Sequence, residues 1–207
     1  MISFGITTHN EGKNIGKLIE RISKYKKIDD EIVVLDDFST DETTLKEISK
    51  ADRVIKHKFQ KNYANHKNVL NTHCKKDYIF QFDGDELPTE LLIKNIHRII
   101  LEKNKEIIIF PRVNKVTGTN ANELRERGWK VDKFNRINYP DYQGRCYVNR
   151  HDIKWTRPLH EYIIGPKSSH VIAPNQNLDI IHIKTHEKQI LSEQRYNEHY
   201  TKDYQIK

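Results

Sequence analysis

Three carboxylates follow a predicted buried strand near the middle of the 207-residue chain. An apolar run at residues 78–82 predicts the strand, and Asp83, Gly84, Asp85 and Glu86 come directly after it. Acids crowded at one strand end repel one another unless a cation or strong donors compensate, and carboxylate oxygens are typical ligands of Mg²⁺ and Mn²⁺. The alternative is a solvated acidic turn at a helix N-terminus. The pattern leaves both interpretations open.

A second acidic pair, Asp36 and Asp37, ends another apolar run. In a mostly parallel sheet, the carboxyl ends of the strands share one edge, and open α/β sheets bind their ligands there. One acidic group can accept hydrogen bonds from a base or ribose, while the other can hold a metal on a diphosphate. The two groups together indicate a nucleotide-diphosphate ligand.

The first 110 residues alternate between strand and helix patterns. Helical spacing of apolar residues separates the predicted strands. This alternation predicts an α/β protein with a mostly parallel, Rossmann-like central sheet flanked by helices. The predicted strands cover residues 2–7, 31–37, 54–55, 78–82 and 107–110.

Local signals set the expected boundaries of these elements. Asn10 is a candidate N-cap, and Ser39 with Glu42 has the spacing of a capping box. Pro88 suits the first turn of a helix, and Pro111 is expected to close the last strand of this half.

The second half has a different pattern, with short β-like pieces over residues 129–164 and a last strand over 178–183. A loop is expected at 117–122, and a polar helix at 187–204 ends the chain. We expect one continuous domain over residues 1–207. Within it, 1–110 is the expected nucleotide-binding half and 111–207 the expected acceptor half with its C-terminal helix.

Charge and composition favour anionic ligands without specifying nucleic acid. Lys and Arg number 36 against 29 Asp and Glu, a net charge of +7 spread along the chain. The two cysteines form no metal-binding spacing. The chain opens on a strand and has no apolar run near the roughly 18 residues that span a bilayer, so a cytoplasmic location is expected. The Tyr-rich tail over 196–204 has two interpretations, a docking site for an acceptor or a membrane surface, and a frayed solvated helix. The protein is expected to be cytoplasmic or peripheral at the membrane.

Four short motifs occur in order, over residues 7–11, 33–41, 65–68 and 83–85. This series resembles the GT-A fold, family 2 inverting glycosyltransferases over residues 1–110. In the second half, Trp155 and the pair His160-Glu161 resemble a subgroup that acts on lipopolysaccharide-core and similar glycans.

The resemblance implies a metal-dependent transfer of a sugar, with inversion, from a nucleotide-diphosphate donor to a glycan or glycolipid hydroxyl. A UDP-sugar is the expected donor, and Mn²⁺ or Mg²⁺ the expected cofactor. The residues expected to contact the donor are Thr7, His9, Asn10, Glu11, Asp36, Asp37, Lys67, Asp83, Gly84 and Trp155.

The resemblance also implies particular roles. Asp85 is the expected principal metal ligand, joined by Asp83, which would also touch the ribose, and by His182. The role of His182 is open, because a histidine in an apolar strand is often a satisfied core residue and His186 is an alternative ligand.

Further roles stay open between two interpretations. The general base is Glu161 or Asp141. Lys67 lies near the diphosphate or is a solvated lysine, and Trp155 is a sugar platform or part of the core.

Two other function classes are weaker alternatives. A nucleotidyltransferase of sugar phosphates usually carries a Gly-rich phosphate loop after its first strand, and residues 8–12 do not form one. A basic nucleic-acid-binding domain fits the net charge, but the sequence has no zinc-finger spacing and no single basic stripe, so no nucleic-acid partner is expected.

Overall fold

A computed structural model describes residues 1–200, except the side chains of Arg195 and His199. A nine-stranded sheet has the order β3-β2-β1-β4-β7-β6-β11-β5, with β10 paired to β6, and β8 and β9 form a separate hairpin. The strands are β1 (Ile2–Thr8), β2 (Glu31–Asp36), β3 (Arg53–Lys56), β4 (Tyr78–Asp83), β5 (Glu86–Pro88), β6 (Ile107–Thr117), β7 (Ile137–Val148), β8 (Lys154–Thr156), β9 (Tyr162–Ile164), β10 (Ser169–Val171) and β11 (Ile180–Thr185).

Six helices accompany these strands in the described residues. None of them is both long and apolar enough to cross a bilayer. The C-terminal helix covers His186–His199, within one residue of the prediction over the described part of the chain. Residues 201–204 of the predicted helix lie outside the described residues. The helices are α1 (Lys13–Tyr25), α2 (Glu42–Ile48), α3 (Tyr63–His73), α4 (Glu90–Lys103), α5 (Ala121–Glu126) and α6 (His186–His199).

The sheet is mixed but mostly parallel, which confirms the predicted fold class. Strands β3, β2, β1 and β4 are parallel neighbours. Strand β7 then inserts antiparallel between β4 and β6, and β11 continues parallel to β6. Strands from both halves of the chain therefore build one sheet, and β11 brings residues of the second half to the edge formed by β1, β2 and β4.

Helices cover both faces of the sheet because its strands are apolar on both sides. On one face, α1 and α4 bury side chains against Phe4 and Phe80. On the other face, Leu70 of α3 packs with Val33 and Ile79. Full burial of each large apolar side chain contributes roughly 1.5–3 kcal/mol, so these layers hold the strand ends in place.

The predicted N-cap at Asn10 is wrong. Helix α1 begins after Gly12, whose φ of 55° and ψ of −127° suit glycine. Asn10 instead bridges two loops, since its side-chain oxygen accepts hydrogen bonds from the backbone of Thr40 and Asp41.

The predicted capping box is also wrong. Asp41 is the N-cap of α2, and its carboxylate accepts a hydrogen bond from the backbone N–H of Thr44 at 2.7 Å. Ser39 instead accepts a hydrogen bond from the backbone N–H of Asn10. Both aspartate and serine can cap a helix, and here the cap is Asp41 rather than Ser39.

The roles predicted for Pro88 and Pro111, and the predicted bounds of one loop, also differ from the structure. Pro88 ends strand β5, and Thr89 caps α4. Strand β6 continues through Pro111. Its pairing with β10 ends at Ile109 and its pairing with β11 begins at Arg112, so Pro111 lies in the gap between these two neighbours, where a missing N–H costs least. The loop at 117–122 is shortened because α5 begins at residue 121.

Candidate functional site

The acidic ends of β2 and β4 lie at one edge of the sheet, as the sequence predicted, and β1 runs between these two strands. Thr8 is paired with Asp36, and Thr7 is paired with Asp83. The Thr7 hydroxyl donates a hydrogen bond to the Asp83 carboxylate at 3.1 Å. Parallel neighbours therefore gather both acidic groups at one edge.

At the end of β2, the two adjacent acids differ in access. Asp36 is fully buried, and its Oδ1 accepts a hydrogen bond from the Ser39 N–H, so its side chain is inaccessible to a ligand. This corrects its expected contact with the donor. The Asp37 side chain is 23% exposed and accepts a hydrogen bond from the Phe59 N–H at 2.8 Å. His9 lies beside it, with Nδ1 at 2.7 Å from the Asp37 carbonyl oxygen.

The loop after β1 is held by contacts within the chain. Glu11 forms an ion pair with Lys188 of α6 at 2.9 Å. Gly84 packs under this loop, and a Cβ there would lie 2.9 Å from the Thr8 hydroxyl and 3.2 Å from the Thr7 carbonyl oxygen. Close approach of two backbones explains this glycine, and a donor contact for it stays a prediction.

Asp83 lies in a cluster of cations. Lys67 approaches Oδ1 at 3.0 Å, and Arg145 approaches Oδ2 at 3.0 Å. Burial raises the pKa of the Asp83 carboxyl, but Lys67 and Arg145 outweigh burial and hold that pKa well below its usual range. Asp83 is ionised, and its charge is already compensated by the chain itself.

The third acid, Glu86, is compensated in the same way. It is buried, and its Oε1 accepts hydrogen bonds from Arg145 at 2.6 Å and from Arg112 at 3.0 Å. Sequence reasoning missed both arginines, which lie far along the chain and carry no local signal. Because arginines neutralise two of the three acids, their crowding does not by itself require a metal.

Asp85 has a different partner, His182, which β11 brings beside it through antiparallel pairing with β5. The His182 Nε2 lies 3.1 Å from Asp85 Oδ2, and both side chains are mostly buried. Burial raises the pKa of the Asp85 carboxyl, but the His182 ring outweighs burial and brings that pKa to about 2.

The orientation of His182 follows from a chain of hydrogen bonds. The Asn114 side chain donates through Nδ2 to the Asp141 carboxylate at 2.8 Å. This bond orients the Asn114 amide so that its Oδ1 lies 2.8 Å from His182 Nδ1. Nδ1 therefore carries a proton, and in the neutral ring the Nε2 lone pair faces the Asp85 carboxylate. Two facing lone pairs need a cation between them or a proton on the ring, so the donor set fits Mn²⁺.

Only part of the expected metal set comes together. Among residues 1–200, no cluster of three or more His, Cys, Asp or Glu side chains is arranged to hold a metal ion. Asp83 faces Lys67 and Arg145 instead of joining Asp85 and His182. The alternative ligand, His186, lies 3.1 Å from Arg127 Nη2.

The two candidate bases have different surroundings. Asp141 accepts hydrogen bonds from Arg112, Asn114 and Gln143. Burial raises the pKa of its carboxyl, but the charge of Arg112 and the hydrogen bonds from Arg112, Asn114 and Gln143 together outweigh burial, so the pKa is lowered. Glu161 contacts Lys67 at 2.7 Å, and its side chain is 16% exposed. Asp141 is saturated by donors, which makes it the poorer proton acceptor of the two.

Trp155 lies in the core, which resolves the choice between core and sugar platform that the sequence left open. The residue is 4% exposed, and its indole N–H donates to Gln81 at 2.8 Å and to the Tyr147 hydroxyl at 3.0 Å. The expected contact of Trp155 with the donor sugar is therefore wrong, because the ring is buried and its N–H is already hydrogen-bonded within the protein.

Comparison with known proteins identifies relatives. Residues 3–158 match the family model described as glycosyl transferase family 2. An uncharacterized glycosyltransferase of Rickettsia bellii is 30% identical over 126 residues, covering 61% of this chain and 41% of the relative. Glycosyltransferase GlyG of Streptococcus pneumoniae is 28% identical over 116 residues, covering 53% and 38%. The chain thus spans about two fifths of the length of these relatives.

Solved structures share the fold. The S. aureus TarS fragment 1–349 in complex with UDP-GlcNAc is 18% identical with a TM-score of 0.63, over 88% of this chain and 58% of that one. The same fragment in complex with UDP has a TM-score of 0.54, over 84% and 61%. At such identities the likeness concerns the fold alone.

Proposed function

Because the chain belongs to glycosyl transferase family 2, we propose that it transfers a sugar from a UDP-sugar to a hydroxyl of a glycan or glycolipid, with inversion. One observation carries the proposal: Asp37, Asp83 and Asp85 lie at the ends of β2 and β4, at one edge of the sheet, and Lys67 connects Asp83 to Glu161 of the second half. Family membership favours this transferase over the nucleotidyltransferase and the nucleic-acid-binding domain.

The donor base and ribose bind beside β1 in this proposal. Asp37 is partly exposed and its carboxylate accepts hydrogen bonds, which suits the N–H groups of a base. Thr7 and His9 border the same place, since Thr7 contacts Asp83 and His9 contacts the Asp37 backbone. Asp83 is held rigidly by its cations and presents a fixed carboxylate to the ribose.

Asp85 and His182 would hold Mn²⁺, or Mg²⁺ less tightly, and Asp141 orients His182 through Asn114. When bound, the ion supplies Lewis-acid compensation of the charge that builds on the departing diphosphate. The carboxylate and the oriented imidazole are the groups that this chain contributes to that site.

Glu161 acts as the general base. Its carboxylate takes the proton of the acceptor hydroxyl while that oxygen bonds to the anomeric carbon and the bond from this carbon to the diphosphate oxygen breaks. The electron pair of the broken bond leaves with UDP. A single displacement of this kind inverts the anomeric centre.

The acceptor is a glycan or a glycolipid hydroxyl under this proposal. A glycolipid acceptor places the enzyme at the cytoplasmic surface of a membrane, where a net charge of +7 favours anionic headgroups.

Thermal denaturation with and without ligands tests the proposal directly. A ligand that binds the native state raises the Tm, so UDP-sugars should raise it, more so with Mn²⁺. An oligonucleotide and a nucleoside triphosphate are the comparison ligands, and UDP release on addition of glycan acceptors measures turnover. A Tm raised only by the oligonucleotide or the triphosphate would contradict the proposal.

Paired substitutions test the identity of the base. Glu161→Gln is nearly isosteric and should keep donor affinity while kcat falls by a factor on the order of 10² or more. Asp141→Asn is the matched variant, and it should act mainly on Mn²⁺ affinity because Asp141 orients His182 through Asn114. Retained turnover in Glu161→Gln, with turnover lost in Asp141→Asn even at saturating Mn²⁺, would make Asp141 the base.

A further inference from the structure

Lys67 lies between the two halves of the candidate site. Its Nζ is 3.0 Å from Asp83 Oδ1 and 2.7 Å from Glu161 Oε1, and it lies 4.6 Å from the centre of the Trp155 ring. The side chain is 3% exposed. A buried ammonium with two carboxylate partners and an aromatic face has a fixed position, unlike a solvated lysine.

The helix that carries Lys67 also holds the chain segment that carries Glu161. Asn68 and the Trp155 backbone exchange two hydrogen bonds, each of 2.9 Å. One turn earlier, the Tyr63 N–H donates to the Pro158 carbonyl oxygen at 3.0 Å. Helix α3 therefore fixes the backbone on the N-terminal side of Glu161, and Lys67 fixes its carboxylate.

This arrangement differs from the phosphate contact expected from the sequence. Two of the three ammonium donors face the carboxylates of Asp83 and Glu161, which already compensate its charge. A lysine that serves a diphosphate presents an accessible point charge instead. The contacts of Lys67 thus point toward the base rather than toward the donor.

We propose that Lys67 is a positioning residue that fixes the Glu161 carboxylate relative to Asp83, and this rests on the proposed function. The Lys67 ion pair engages Oε1 of Glu161 and so fixes the carboxylate that takes the proton of the acceptor hydroxyl. A base must lie within hydrogen-bond reach of the hydroxyl, and a misplacement of about 1 Å can cost a factor near 10².

Steady-state kinetics of Lys67→Met test the assignment. We expect kcat to fall by a factor on the order of 10² while the donor KM stays within about threefold, because the base is displaced and the donor contacts remain. Lys50→Met is the matched control, since Lys50 forms an exposed ion pair with Glu47, and its kcat and KM should equal those of the parent. A raised donor KM with little change in kcat would instead assign Lys67 to the diphosphate and overturn the proposal.

Lys67→Arg keeps the buried charge and guards against a Lys67→Met protein that does not fold. The longer, planar guanidinium shifts the carboxylate, so kcat should fall about tenfold at unchanged donor KM. A kcat equal to that of the parent would show that the position set by Lys67 is unimportant and would overturn the proposal.

A double variant separates positioning from a general structural role. If Lys67 acts through Glu161, adding a Lys67 substitution to Glu161→Gln should lower kcat by less than threefold beyond Glu161→Gln alone. A further loss as large as in the single variant would refute positioning. Absence of sugar transfer by the parent protein, despite donor binding, would instead refute the proposed function itself.

Discussion

The carboxylates on either side of Gly84 have different neighbours. Asp83 contacts Thr7, Lys67 and Arg145, all of which donate to it. Asp85 contacts His182, whose other ring nitrogen is fixed by Asn114. Two acids that look equivalent in the sequence thus have one environment rich in permanent cations and one that contains an oriented imidazole.

This difference separates a fixed structural charge from a candidate metal ligand. Lysine and arginine keep their charge, so Asp83 is compensated whether or not an ion is bound. A neutral imidazole directs its lone pair toward Asp85. The imidazole nitrogen and the carboxylate can then both bind one cation. The following predictions test whether the two carboxylates differ in this way.

Asp85→Asn should have the largest effect. Turnover should fall by a factor on the order of 10³ or more, together with the Mn²⁺-dependent part of UDP affinity, because the metal ligand is lost. The variant should keep the fold. Turnover assays and Mn²⁺ titrations in the presence of UDP measure these quantities, and parent-like turnover would make the metal assignment wrong.

Asp83→Asn should lower stability and leave Mn²⁺ affinity unchanged. Removing this charge leaves Lys67 and Arg145 with one carboxylate partner fewer, and the free energy of unfolding should fall by about 2–3 kcal/mol. Asp77→Asn is the matched control because its ion pair with the N-terminus is exposed. Denaturant unfolding measures both variants. Unchanged stability with lost Mn²⁺ affinity would place Asp83 among the metal ligands.

His182→Ala should lower Mn²⁺ affinity by a factor on the order of 10², since an imidazole ligand is removed. His186→Ala is the control, because His186 contacts Arg127 rather than Asp85. Metal titration with UDP present compares the two. Loss of affinity in the control alone would transfer the ligand role to His186.

The effect of His66, next to Lys67 on α3, appears only at acidic pH. Burial, together with the neighbouring His57 ring, lowers the pKa of His66 to about 4. An unfolded histidine takes up a proton near pH 6.5 and the folded one near pH 4, so stability should be lost as pH falls through this window, by at most about 3 kcal/mol. His66→Gln should flatten this part of the pH profile, with exposed His151→Gln as the control. A profile unchanged from the parent would contradict burial of a neutral His66.

Much of the edge of the sheet could be predicted from local patterns. Apolar runs that end in acids place Asp37, Asp83 and Asp85 at strand ends, because parallel strands share one carboxyl edge. The same runs predict the alternation of strands and helices in the first half of the chain. Ligands bind at the carboxyl ends of parallel strands, so the place of the site could be predicted without knowing any side-chain contact.

Partners of these acids were decided by tertiary structure alone. Arg145 comes to Asp83 because β7 inserts beside β4, and His182 comes to Asp85 because β11 pairs with β5. Such pairings join residues far apart in sequence and leave no periodic signal. The sequence therefore determined where the acids lie, whereas long-range strand order decided which acid is neutralised by the protein and which faces a histidine.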